Sequence, residues 1–560
     1  MHKNFIVSIL AAIFVSIPGV ALAVPAVPTS AQPGVVMRNI EEEQREPSTI
    51  KDIVVVKESQ ADGKDLSDKK VFTLTSVTLL NSTVYDKTEV YKLVKGYLGK
   101  EVSFADLNAI SNILTKKYRD DGYIFSRVIL APQKISEGHV HFKAIEGKIS
   151  DVKVNGNYKD KNGLINDYVQ KIKSEKGPSN SKTIERYLLL INDLPGIKAR
   201  SLFQPSATPD GVDMIIDIEE KALEGSASID NRGSKYLGPL QGSLLGVVNS
   251  AFGIHDRTTI RGINTSNTDE LRFIDISHEE QVGTEGAKIT GRYAYTKTKP
   301  GSTLTPLDSV GTSSLFDLEA LYPLVRSRQY NINVIGGFNL LDAKSDILGG
   351  NVSDDRVRTV RAGGRFDFTD SMAGINQAEL IVTQGLDTLG ATQDGAGRTH
   401  PNANNDFTRV NSTVTRIQDL TNNFSVKLSG SGQYSNDPLL VSEQFSLGGA
   451  EFGRAYDSGE LTGDRGIAGI IEFRYGEDTM TKILKSYQLY TFYDAGEVWN
   501  RDVVVGELPN ATLTSAGVGV RFNLAYDFSG DLQLSKPLTR DVAAMADRDP
   551  RVFFSLTKRF

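Results

Sequence analysis

The sequence predicts a membrane all-β protein, in which a 16-stranded transmembrane β-barrel follows two small α/β domains. Three observations support this fold class. Residues 71–222 read twice as strand, helix, helix, strand, strand. From residue 223 onward, helical periodicity gives way to alternating apolar and polar residues, the period of strands. One face of that alternation carries glycine and charged residues in place of core residues, as the inner face of a membrane barrel does.

Composition excludes several classes of function. The chain has 560 residues, a net charge of −6 and no cysteine. Without a basic surplus, a nucleic-acid partner is disfavoured. Without cysteine there is no disulfide scaffold and no thiolate metal site. The sequence holds no nucleotide-binding loop and no hydrolase or metalloprotease motif, and the histidines are scattered, so we expect no enzyme, cofactor, metal or nucleotide.

Residues 1–23 predict a secretory signal peptide, with a basic start, an apolar stretch and an A-x-A cleavage site. The alternative is a membrane anchor, although such a helix needs about 20 apolar residues. Residues 24–70 read as a linker with one short helix, Val35 to Arg45, that ends before Pro47. Its apolar face holds only Val36, Met37 and Ile40, too little to hold it in water, so it docks as a plug or stays disordered.

Two α/β modules are predicted at 71–147 and 148–222, each of order β-α-α-β-β. A single α+β domain of about 150 residues is the alternative. The barrel is predicted to span 223–560. Divided among 16 strands, that region leaves about 21 residues for each strand and its connection, enough for strands of about 9–11 residues. A soluble β-sandwich or propeller would show similar alternation, but the nearly apolar last strand, which ends on Phe560, favours a membrane barrel.

A long loop, 436–466, interrupts the barrel strands and is rich in glycine and aromatic residues. Its length is typical of functional or disordered loops, and its composition suits a segment that folds back into a polar lumen. In the strand around residues 487–496, alternation places Tyr493 toward lipid and Phe492, Asp494 and Gly496 toward the lumen. Arg454 is the candidate partner for Asp494, because a guanidinium can donate two parallel hydrogen bonds to a carboxylate. Two separately solvated pore charges remain the alternative.

The order of signal peptide, short helix, two modules and barrel resembles the two-partner secretion transporters, the hemolysin and filamentous-hemagglutinin exporter family. Similar segments are GVVMRNIEEEQRE, residues 227–243, residues 443–466 and FYDAG at 492–496. The loop tetrad of the family falls on residues 453–456, where Arg454 and Tyr456 are kept and the small residues differ. The resemblance implies that the modules are polypeptide-transport-associated (POTRA) domains and that Arg454 and Asp494 fix the loop to the barrel.

The resemblance further implies an outer-membrane transporter, with its POTRA domains in the periplasm, that secretes and can activate one large exoprotein, such as a β-helical hemolysin or adhesin. A strand edge at 198–204, carrying Arg200, Leu202 and Phe203, could add a segment of that partner as an extra strand. An assembly factor of the same superfamily is the alternative, and a general porin is a third possibility. Neither nucleic acid nor nucleotide is implied, and the only other contact is outer-membrane lipid.

Overall fold

The computed structural model describes residues 27–42, 68–393, 397–479, 481–504 and 507–560. The predicted signal peptide and the part of the linker at 43–67 lie outside the described residues. Within the described ranges, no helix is both long enough and apolar enough to cross a membrane.

Helix α1, Pro33–Glu42, precedes the two modules. The first module contains strands β1 to β5 and helices α2 and α3, and the second contains β6 to β8 with α4 and α5. Their bounds are β1 Phe72–Thr73, β2 Ser76–Leu80, α2 Lys87–Val94, β3 Glu101–Val102, α3 Phe104–Asp120, β4 Arg127–Leu130, β5 His139–Ile145, β6 Lys148–Asn157, α4 Leu164–Lys173, α5 Ser181–Asp193, β7 Ile197–Pro205 and β8 Gly211–Glu220. Both modules have one topology, since the sheet order β2-β5-β4 of the first corresponds to β6-β8-β7 of the second. Each module has its own apolar core.

Sixteen antiparallel strands close into a barrel, which confirms the predicted fold class. They are β9 Leu223–Asp230, β10 Gln241–Asn249, β11 Arg257–Thr265, β12 Leu271–Val282, β13 Ala287–Thr298, β14 Val310–Arg326, β15 Tyr330–Ile347, β16 Gly350–Thr369, β17 Ile375–Gly385, β18 Thr408–Asp419, β19 Phe424–Ser435, β22 Arg465–Asp478, β23 Leu484–Trp499, β24 Asn510–Leu524, β25 Phe528–Pro537 and β26 Arg551–Arg559. The short strands β20 Phe445–Leu447 and β21 Leu461–Gly463 pair with each other in a separate sheet that is not part of the barrel wall. The first barrel strand, β9, pairs with the last, β26, over only five residue pairs, from Asp230–Ser555 to Ser226–Arg559.

Every barrel strand exposes at least one large apolar side chain outward, as a lipid-facing surface requires. One such residue from each strand is Ile229, Leu244, Ile260, Ile274, Tyr293, Leu318, Val334, Val360, Leu380, Val414, Leu428, Ile467, Leu489, Val518, Leu532 and Phe554. Short turns join the strands at one end of the barrel, and long connections such as 386–407 and 538–550 join them at the other. Backbone polar groups in the wall are satisfied between strands, which closure permits without a free edge.

The second module lies against three short turns of the barrel. The Arg326 guanidinium donates to both carboxylate oxygens of Asp193, over 2.6 and 2.8 Å. Glu285 accepts hydrogen bonds from Lys171 at 3.0 Å and from Arg186 at 3.2 Å. Burial raises the pKa of Glu285, but these hydrogen bonds outweigh it and leave the pKa below its ordinary value. The module is therefore held beneath the turns between β10 and β15, and its position relative to the barrel mouth is fixed on that side.

Candidate functional site: the barrel lumen

The long connection between β19 and β22 folds into the lumen. It begins at residue 436 as predicted but ends at 464, because β22 already starts at Arg465. It also has secondary structure of its own, since β20 and β21 form a short antiparallel ribbon. Apolar side chains fasten it, with Phe445, Leu447 and Phe452 packed against the inner faces of β22 to β24. The loop is therefore a folded part of the barrel interior.

The tip of this loop depends on glycine at two positions. Gly448 and Gly453 have φ values of +104° and +83°, which other residues rarely adopt. A Cβ atom on Gly448 would lie 2.0 Å from the carbonyl oxygen of Asp457, so the two arms of the tip touch backbone to backbone there. The turn that results presents Arg454, Ala455 and Tyr456 to the wall formed by β22 to β25.

The predicted side-chain pair between Arg454 and Asp494 is wrong. The Arg454 guanidinium instead pairs with Glu472 on β22, while the backbone N–H of Arg454 donates to Asp494 Oδ2 over 3.0 Å. The second oxygen of Asp494 accepts a hydrogen bond from the Ser515 hydroxyl. The physical reason is the difference in length between the two side chains. The short carboxylate side chain on β23 meets the loop backbone, and the longer arginine side chain passes it to reach the next strand.

Glu472, which was not among the residues predicted from the sequence, is the centre of this part of the lumen. The side chain is fully buried and accepts hydrogen bonds from three guanidinium groups, those of Arg454, Arg474 at 2.6 Å and Arg521 at 2.8 Å. Arg521 also approaches Asp531 to 3.3 Å. A signal was available in the sequence, because alternation with the outward residues Ile467 and Phe473 places Glu472 on the inner face.

The other predicted lock residues also lie where the loop meets the wall. Phe492 lies beneath the Arg454 guanidinium, with 4.7 Å between the guanidinium carbon and the ring centre, a cation–π distance. The Tyr456 hydroxyl donates to the Thr514 carbonyl over 3.2 Å. At Gly496, a Cβ atom would lie 2.7 Å from Leu447, so glycine there leaves room for the loop. Together these contacts hold one loop conformation through charge, backbone and packing.

A helix, α1 Pro33–Glu42, lies in the lumen against β13, β14 and β15. It begins two residues before the predicted start, and the predicted end at Arg45 lies outside the described residues. Met37 is 1% exposed and Val36 is buried, while Ile40 is half-buried. Met37 packs on inward-facing apolar residues of the wall, which are Ile263, Phe273, Ala294, Leu315, Leu341 and Val357. The prediction of an inner face without core residues is therefore wrong where α1 packs on the wall, because the helix needs an apolar patch there.

Helix α1 makes polar contacts both to the barrel wall and to the long loop. Glu41 accepts from Arg292 on β13 over 2.7 Å, and Arg38 donates one hydrogen bond to the Ser442 carbonyl of the long loop at 2.8 Å. Nε and Nη2 of Arg38 are buried without a hydrogen-bond acceptor, and Nε makes only an ion pair with Glu42 at 3.7 Å. Buried donors without acceptors carry a desolvation cost. The loop residue Gly459 packs so closely on α1 that a Cβ would lie 2.9 Å from Val35. Helix and loop thus meet inside the barrel, with part of the interface poorly satisfied.

The residues predicted to dock the substrate lie on β7, which is an edge strand of the second module. Leu202 is 50% exposed, and Arg200 is exposed on the same face. Phe203 points to the other face, where its ring centre lies 5.1 Å from that of Phe125 in the first module. Phe203 therefore joins the two modules, and its ring is not presented to solvent with Arg200 and Leu202.

A closed barrel with a folded luminal loop, a luminal helix and α/β modules at one mouth defines an outer-membrane protein transporter. The family model for the haemolysin secretion/activation protein ShlB/FhaC/HecB matches residues 215–522. The model for the POTRA domain, ShlB-type, matches residues 72–147. The chain belongs to the haemolysin secretion/activation protein family. It is a two-partner secretion transporter of the outer membrane, which works with a secreted exoprotein and has its POTRA modules in the periplasm.

Relatives span most of the chain. The heme/hemopexin transporter protein HuxB of Haemophilus influenzae (strain 86-028NP) is 23% identical over 84% of this chain and 84% of its own. The outer membrane transporter CdiB of Escherichia coli O6:K15:H31 is 25% identical over 70% of this chain and 67% of its own. The solved structure of CdiB from Escherichia coli superposes with a TM-score of 0.75 at 18% identity, covering 96% of this chain and all of that one. BamA from Haemophilus ducreyi, lacking its first three POTRA domains, reaches 0.51 at 12% identity over 88% of this chain, which is a likeness of fold.

Proposed function

We propose that the exoprotein is received as an extended chain on the free edge of β7 and then passes through the lumen, where α1 is the removable plug and the loop around Arg454 is the fixed part. The observation that carries this proposal is the pairing of an open strand edge below the barrel with a weakly satisfied helix inside it. The partner is proposed to be large and β-rich, a β-helical protein for instance, because strand addition recognises backbone and demands little of sequence.

The hydrogen bonds of Asn192 show which groups of β7 face its open edge. The Asn192 side chain, on α5, accepts from the Ala199 N–H over 2.9 Å and donates to the Ala199 carbonyl over 3.1 Å. The polar groups of Ala199 therefore point away from β8. Since direction alternates along an antiparallel strand, the N–H and C=O groups of Ser201 and Phe203 point the same way. Asn192 closes the edge at Ala199, so an added strand is expected to pair from Ser201 onward.

Replacing Ser201 by proline should weaken docking and lower secretion of the exoprotein. Proline at 201 removes an N–H that faces the open edge and leaves the ladder to β8 intact. Ser201→Ala is the matched control, because it keeps the N–H and loses only the hydroxyl. The measurement is secreted exoprotein per transporter in the outer membrane, together with binding of the exoprotein to the isolated membranes. Equal secretion by Ser201→Pro and Ser201→Ala would contradict docking on this edge.

Replacing Met37 by aspartate should raise the single-channel conductance in planar bilayers. The change places a charge among the apolar wall residues that hold α1, where burial of an unpaired carboxylate is unfavourable. Secretion should persist, because the helix is proposed to leave during transport. The matched control is Met37→Leu, which keeps an apolar side chain of similar size at the same position. An unchanged conductance in Met37→Asp would mean that α1 does not restrict the pore.

A further inference from the structure

We propose that the inner face of β18 and β19 is the track along which an extended, uncharged stretch of the exoprotein runs once α1 has left, rather than the apolar wall that α1 vacates. The inference rests on the proposed function and adds the path and the chemistry that the passing chain meets. Two elements divide the lumen. Helix α1 covers the wall at β13 to β15, and the long loop covers the wall at β22 to β24.

The space that remains between helix and loop is a cavity of about 810 Å³. Residues of β18 and β19 line it from Ile417 and Lys427 at the lower end to Asn411 and Gln433 at the upper end. A second cavity opens at the mouth below, and its lining combines the ends of the same two strands, at Asp419 and Phe424, with residues of β22 to β26. The ends of β18 and β19 therefore border both cavities, one at the periplasmic mouth and one in the lumen.

This stretch differs in chemistry from its surroundings. Thr413 pairs with Ser431 through their hydroxyls at 3.0 Å, and Thr415 pairs with Ser429 at 2.7 Å. Above them, Asn411 donates to Gln433 over 2.8 Å. The inner face of the two strands is thus uncharged between Lys427 and Arg409, and we call its four hydroxyl side chains the hydroxyl ladder: Thr413, Thr415, Ser429 and Ser431.

The neighbouring walls instead carry ion pairs. Arg361 on β16 donates to Glu319 on β14 over 2.9 Å, and Arg365 on β16 meets Glu379 on β17 at 2.6 Å. On the other side lies the cluster around Glu472. A passing chain would have to break or compete with these charge-assisted bonds, which are about twice as strong as neutral ones. Hydroxyls can donate or accept, so they serve successive backbone groups of any sequence. The ladder is therefore the part of the described wall suited to a sliding polypeptide.

The ligand that fits is an extended chain with small, uncharged side chains, bound through its backbone. The test places the photo-crosslinker p-benzoylphenylalanine at Ser431, or at Ser277 as the matched control. Ser277 also points into the cavity, but it lies on β12 at the helix-bearing side, in register with Arg292. A third position, Leu202 on β7, reports docking separately. The probe is a biotin-tagged synthetic peptide of Ser, Thr, Asn and Val, added to membranes that contain the full-length protein.

We expect Ser431 to capture several-fold more peptide than Ser277. Equal or greater capture at Ser277 would show that the chain passes along the helix-bearing wall, and the proposal would be wrong. Capture of the peptide at Leu202 with none at Ser431 would also contradict the track, while leaving docking on β7 intact. Capture at Ser431 with none at Leu202 would instead count against docking on β7. In cells, Ser431→Trp should lower secretion of the exoprotein well below the level of Ser277→Trp, with equal barrel in the membrane. Equal secretion by the two variants would contradict the track.

Discussion

Arg454→Ala should nearly abolish secretion of the exoprotein while the barrel still assembles in the outer membrane. The Arg454 guanidinium is one of three that neutralise the fully buried Glu472, and it is the one supplied by the loop. Arg474 and Arg521 still neutralise Glu472 in this variant, so the loss falls on the position of the loop and not on barrel stability.

Arg454→Lys separates position from charge. Lysine keeps the charge but lacks the planar group that meets Glu472 while lying over Phe492, so we expect it to secrete nearly as poorly as alanine. Glu472→Gln should be at least as harmful, since it leaves three arginines around a neutral amide. Asp494→Asn should be milder than Glu472→Gln, because its amide oxygen can still accept from the Arg454 backbone. The measurement is secreted exoprotein, normalised to heat-modifiable barrel. Full activity of Arg454→Lys would show that a charge alone suffices.

Deleting residues 71–222 should remove secretion altogether and leave an inserted barrel. Each module has a core of its own, and every barrel strand pairs with another barrel strand. The deletion therefore takes away the docking edge on β7 without opening the wall. Secretion should fall to the level of cells without the transporter, and bilayer recordings should still show a channel.

A smaller change serves as the control for this deletion. Arg326→Ala loosens the contact between the second module and the barrel, because it removes both hydrogen bonds to Asp193. It keeps the β7 edge, so we expect a partial loss of secretion. Normal secretion by the deletion variant would refute any docking role for the modules. Loss of the barrel from the membrane would refute the independence of the two parts.

The local sequence pattern was sufficient to predict the strands and helices, but it did not predict the contacts between elements that are far apart in the sequence. Alternation correctly assigned Asp494 to the lumen and Tyr493 to lipid, because the strand period depends only on neighbours. The partner of Arg454 depends on how far a flexible side chain reaches across three strands, and no spacing in the sequence encodes that reach. The apolar patch beneath Met37 was missed for the same reason. Its members come one from each of several strands, and Phe273 or Leu315 alone gives no sign that they meet.

The short seam between β9 and β26 has a consequence for biogenesis. All other strand pairs of the wall join neighbours along the chain, except that β20 and β21 stand between β19 and β22, so they close far shorter loops and lose less loop-closure entropy. The seam joins strands that are hundreds of residues apart, and it offers five residue pairs in return. Pairings of such high contact order form late. Closure is therefore the slow step of assembly, and an open, curved sheet is the species exposed to aggregation and proteolysis beforehand. Substitutions along Ser226 to Asp230 should accordingly change the yield of mature barrel more than the rate at which each finished barrel transports.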